Sequence, residues 1–112
     1  MTHYLVRAEP RWERLPVLEG KLRSGAIEAL EPFGPELARA LLDARIDEEG
    51  TAVWEEEDHC DPPLARERKA VLEDHFDDIE VEPVEPGEGW KRISLLPRLI
   101  EEIPEAPGPP EH

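Results

Sequence analysis

The chain contains no asparagine and no glutamine, has one cysteine, Cys60, and confines its neutral hydroxyls to Thr2, Tyr4, Ser24, Thr51 and Ser94. Ligand pockets usually orient their contents with a few neutral hydrogen-bonding side chains, so a pocket here must rely on backbone groups, indoles, imidazoles and charges. That points away from an elaborate enzyme site. A lone cysteine excludes an intrachain disulfide and any zinc framework built on several cysteines. Lysine is also scarce, three against ten arginines, and with the missing amides this matches the bias of a heat- or salt-adapted source. Met1 to Pro10 lacks a basic region followed by a long apolar stretch, so a cytoplasmic setting is the expectation. With a mean hydropathy of −0.61 the chain offers no apolar run long enough to span a bilayer, and no membrane association is expected.

Acid is abundant. Twenty-eight acidic residues against 13 basic ones give a formal charge of −15, which excludes nucleic-acid binding through a basic face. The excess is uneven: residues 1–46 carry seven acidic and seven basic side chains, so all of it lies in the remaining 66 residues. A length of 112 with 38% hydrophobic residues allows one modest core, read as a single domain over residues 1–103. Pro104, Pro107, Pro109 and Pro110 punctuate a tail, residues 104–112, with almost nothing to bury, and the composition predicts that it is disordered.

Within the domain, Tyr4 to Ala8 reads as a strand closed by Pro10, and Leu15, Leu18 and Leu22 recur at helical spacing between Pro16 and Gly25. Ala26 to Leu30 fits either a strand or a further turn of helix. Gly34-Pro35 opens a second helix, with Leu37, Leu41 and Ala44 on one side, expected to end near Ile46. Thr51 to Glu57 predicts a strand that emerges into solvent at Glu55, at a sheet edge where charge discourages aberrant pairing. Asp61-Pro62-Pro63 is a strong helix start; the helix should run to about Asp77 with Glu67 on its solvated side. Ile79, Val81 and Val84 alternate with Asp78, Glu80 and Glu82 in a last strand. From Trp90 to Ile103 an apolar segment is interrupted by Pro97 and cannot be one straight helix. This order predicts an α+β fold: a small sheet of three or four strands with helices packed on one face, a ferredoxin-like sandwich being the leading arrangement.

Two constellations carry chemistry. Glu57, His59 and Asp61 are candidate ligands for a divalent metal, since carboxylates suit hard cations and imidazole suits transition metals. Their spacing matches no established metal motif, and a solvated edge leading into a helix cap accounts for it better. Cys60 sits among carboxylates that oppose a thiolate, which argues against a nucleophile, and His75 reads as a surface residue matched to a helix C-terminus. The ladder Asp78, Glu80, Glu82 is the ordinary outer row of an amphipathic strand and, at most, a mimic of phosphate spacing. The second constellation is Trp90, Arg92, Ile93, Leu96 and Leu99, an apolar and basic island with the residue types of an interface. Together these lead to an acidic protein that acts by association, as a homodimer or an accessory subunit with a protein partner, with no cofactor and no catalysis of its own. The alternative is a divalent-metal-dependent function at Glu57, His59 and Asp61.

Overall fold

In a computed structural model that describes residues 2–58 and 64–103, the alternating apolar residues of the first strand decide the layers. Strand β1 (Thr2–Pro10) buries Val6 and Ala8 on one face and Leu5 on the other, as side chains of period two must when both faces are covered. Three further strands complete one antiparallel sheet: β2 (Arg45–Ile46), β3 (Ala52–Asp58) and β4 (Phe76–Val84), in the order β2-β3-β1-β4. The α+β class is therefore as expected. The sheet has four strands, reached through different elements from those anticipated.

Ala26 to Leu30 is neither strand nor helix but a series of turns. The second strand is instead the two-residue β2, which belongs to the stretch expected as the end of the second helix. Helix α1 (Leu15–Ser24) stops at Gly25, whose φ of 82° is the left-handed cap that glycine adopts without a Cβ penalty. Helix α2 (Gly34–Leu42) ends four residues before Ile46, because Ile46 is needed opposite Ala52 in the sheet. After the undescribed residues 59–63, which include the Asp61-Pro62-Pro63 helix start, α3 (Ala65–Glu67), a π-helical segment Arg68–Leu72 and α4 (Glu73–His75) follow in succession. The helix thus ends at His75, short of Asp77, and Phe76 is the first, buried residue of β4.

Leu15, Leu18, Leu37, Leu41, Leu64, Leu72, Trp54 and Phe76 form the main core between these helices and the face of the sheet that carries Val6 and Ala8. Trp54 is fully buried, its ring 5.3 Å from that of Phe76. Helices do not keep to one face, however. Short helices α5 (Glu88–Ile93) and α6 (Leu99–Glu102) end the described chain, and α5 covers Leu5 and Val53 on the opposite face with Ile93. The C-terminal arm then pairs with the outer edge of β2: Ile46 N–H donates to Pro97 O at 3.0 Å, and Leu99 N–H donates to Ala44 O at 2.8 Å. No helix among the described residues is long and apolar enough to cross a membrane. Residues 104–112, the expected tail, lie outside the described residues.

Candidate functional site

β3 was expected at a solvated edge, and it lies inside the sheet. Flanked by β1 along its whole length and by β2 at its start, it buries Glu55, Glu56 and Asp58 to 3%, 1% and 6% exposure. Buried carboxyls need partners, and the alternation of the strand sends them to two different places.

Glu55 faces α5. Its Oε1 accepts from the N–H groups of Gly89 (2.7 Å) and Trp90 (3.2 Å), its Oε2 from Gly87 N–H (2.8 Å), and His3 Nδ1 lies 3.0 Å from Oε2. The carboxylate thus caps the helix from the sheet beneath it, supplying the acceptors that the first turn lacks. Burial pushes the Glu55 carboxyl up, but Gly87 N–H, His3 and the other two amides outweigh it and hold it below its usual value. A Cβ at position 89 would lie 2.9 Å from Glu55 Oε1, so glycine is what allows this close approach. His3 Nε2 in turn lies 3.0 Å from Glu57 Oε2, which gives the first of the expected metal ligands an imidazole partner already.

Glu56 and Asp58 face the helices, where Glu67 joins them. Glu67, expected on the solvated side, is only 1% exposed, because α3 turns that side onto the end of β3. Trp54 Nε1–H donates to Glu56 Oε1 at 2.9 Å, and Leu64 N–H donates to Asp58 Oδ2 at 2.6 Å. Glu67 is hydrogen-bonded to both Glu56 and Asp58. Glu56 Oε2 and Glu67 Oε2 are buried without a hydrogen-bond partner among the described residues. Burial, above all, drives both pKa values up, Glu56 well above the ordinary range, with the neighbouring carboxylates adding to it. Beside this cluster opens a cleft of about 410 Å³ lined by Pro32 and Phe33 together with Glu36, Glu57, Asp58, Arg66 and Glu67. Sequence reading missed the cluster because a run of four acids, Glu55 to Asp58, reads as surface; the signal present was its position after Ala52-Val53-Trp54, in the middle of a strand.

His75 is a further correction. It is fully buried rather than exposed, with Nδ1 3.1 Å from Arg14 O and Nε2 3.3 Å from Lys21 Nζ. Nδ1–H therefore donates to the carbonyl and the lone pair of Nε2 accepts from the ammonium, which is the neutral tautomer. Burial, then Lys21, depress its pKa below 6.5. A histidine depressed in this way contributes stability above its unfolded value, and that contribution is lost as the pH falls. Imidazole ¹⁵N shifts are expected to report a neutral Nδ1–H ring at pH 6.5, where an exposed histidine is half protonated; a half-protonated signal there would refute the assignment.

The remaining expected ligands, His59 and Asp61, and Cys60 beside them, lie outside the described residues. Among the described residues no three histidine, cysteine, aspartate or glutamate side chains are placed to hold a metal ion. Of the interface candidates, Ile93 and Leu99 are buried in the chain's own core, Trp90 and Leu96 are half-buried, and Arg92 pairs with Glu82 at 2.9 Å. Leu95, between them, is 98% exposed.

The acidic excess gathers elsewhere. Glu9, Asp47, Glu49, Asp78 and Glu80 rim a shallow groove of about 530 Å³ where β1, the β2-β3 turn and the start of β4 meet. Its one base, Arg7, is paired with Glu82. Comparison with protein-family models, with curated proteins and with solved structures found no match to the chain.

Proposed function

We propose that the protein acts by association, as an accessory subunit that receives a positively charged protein partner in a cytoplasmic setting, and performs no catalysis. The observation that supports this is the groove, with five carboxylates around one base already neutralised by Glu82. Opposed potentials raise encounter rates and select partners, while a second copy of this acidic chain is repelled at the same place. The homodimer form of association draws less support, since Ile93 and Leu99 are taken up within the chain and the large exposed apolar side chains are Trp12, Val17 and Leu95.

The test is a titration with a ten-residue oligolysine peptide followed by amide chemical shifts. Shifts centred on Gly50, Thr51 and Asp78 to Glu80 are expected, and the pair Glu49→Lys with Glu80→Lys should weaken binding by about tenfold or more at low salt, with the effect shrinking as salt rises. Shifts spread evenly over all acidic residues, or equal binding by the variant, would defeat the proposal. The metal alternative requires Glu57 to leave His3. A melting temperature raised selectively by Zn, Ni, Mn, Mg or Ca, and no longer raised in His59→Ala, would establish it in place of association.

A further inference from the structure

The cleft beside the buried carboxyls is separate from the groove and has a different chemistry. Pro32 and Phe33 give it an apolar lining, and Glu36, Glu57, Asp58, Arg66 and Glu67 complete it. Glu67 is 1% exposed, and its Oε2, like that of Glu56, receives no hydrogen from an N–H or O–H of the described residues. A buried acceptor in that condition is costly unless a donor arrives.

From this geometry we infer that the cleft binds a primary ammonium carried on an alkyl stem, with the ammonium at Glu67 and the stem along Phe33. Three arguments fix that class. An ammonium brings three donors to a place where Glu56 Oε2 and Glu67 Oε2 have none among the described residues. An apolar lining beside carboxylates suits a cation with a hydrophobic stem rather than a hydrated ion. A bare metal ion is disfavoured, since no three suitable side chains are placed for one among the described residues. Arg66, also on the cleft, cannot serve as the internal cation: its side chain is exposed, and Glu67 keeps its unpartnered oxygen although Arg66 is its neighbour. When the ammonium enters, its charge is balanced by the carboxylates of the cleft.

The chemistry is common to a free alkylamine and to a lysine side chain of a partner, and the experiment separates them. ¹⁵N-labelled full-length protein is titrated with n-hexylamine and, in parallel, with Nα-acetyl-lysine N-methylamide, following the amides of Phe33, Asp58 and Glu67 and the indole N–H of Trp54. Saturable shifts of these signals are expected with at least one probe; hexylamine alone marks a free amine, and both together mark a site open to lysine. Glu67→Gln keeps the shape and removes the charge, and should weaken binding by about tenfold or more, the worth of a charge-assisted hydrogen bond. Phe33→Ala should weaken hexylamine more than the shorter-stemmed lysine probe.

Glu49→Lys with Glu80→Lys, the groove variant, should leave both titrations unchanged, so failure here and failure of the groove reading are told apart. Equal shifts with n-hexanol would reduce the cleft to an apolar crevice and overturn the inference. So would unchanged affinity in Glu67→Gln, or no saturation with either amine.

Discussion

Glu55→Ala is expected to lower stability by about 3 kcal/mol, because each buried donor left without its acceptor costs on the order of 1–3 kcal/mol and water can recover only the outermost. Gly89 and Trp90 lose an acceptor at 2.7 and 3.2 Å, Gly87 loses one at 2.8 Å, and His3 is left with Glu57 alone. Gly89 is buried and so cannot turn to solvent, whereas Gly87 is exposed and can. At roughly 4–8 °C per kcal/mol the thermal midpoint should fall by on the order of 15 °C. The damage should start locally: α5 has only six residues, too few to persist without its cap, so amide exchange at Trp90 to Ile93 should accelerate before the rest of the sheet opens. Glu55→Gln retains one acceptor but points an N–H₂ at Gly87 or Gly89, and should fall between wild type and alanine. Because the Glu55 carboxyl is held below 4.5 in the folded state, its contribution is present above that value and lost as the pH falls through the folded one. The loss in Glu55→Ala should therefore shrink in acid. A loss that is independent of pH would assign the effect to packing and not to the carboxylate cap.

The fold class was legible because period-two and helical spacings survive in this chain wherever a side chain meets the core. Tyr4 to Ala8, Leu15-Leu18-Leu22 and Ile79-Val81-Val84 each announced their element, and Gly25 marked a helix stop that its φ of 82° confirms. Errors fell where length or charge removed the pattern. Two residues, Arg45 and Ile46, cannot display a period, so β2 was absorbed into the helix before it, and its pairing with β3 and the C-terminal arm is a tertiary fact. The carboxyls of Glu55, Glu56 and Asp58 were assigned to solvent because acidic side chains are rarely buried unless partnered, and the partners of Glu55, His3 and Gly89, come from distant segments. His75 failed for the same reason, since Arg14 O and Lys21, which hold it, lie more than fifty residues away in sequence. The acidic groove was half visible: the charge count placed the excess after residue 46, and the β1 bulge between Arg7 and Glu9 brings Glu9 to join it.

Glu67→Gln should stabilise the protein, by about 1–2 kcal/mol near pH 8 and by almost nothing near pH 4.5, reversing the usual cost of altering a buried hydrogen-bonded group. The reason is the direction of the shifts. Burial raises the carboxyls of Glu56 and Glu67 above 4.5 in the folded chain, while in the unfolded chain both titrate there, so the folded state binds more protons between the two values. Stability contributed by such groups is full below 4.5 and is lost as the pH rises through the folded values. His75 and Glu55 slope the opposite way, which is why the comparison must be with the variant at each pH and not along the wild-type curve alone. In Glu67→Gln the opposing charge of the second carboxylate is gone and the amide donates to the Glu56 carboxylate, which keeps its bond from the Trp54 indole, so Glu56 ionises at less cost than in the wild type. Denaturant unfolding of both proteins between about pH 4.5 and pH 8 should give curves that coincide in acid and separate steadily above it. A constant offset across that range would mean that the two carboxyls are not raised in the folded chain, and a destabilised variant at alkaline pH would mean that Glu67 is held as a carboxylate by a donor of its own.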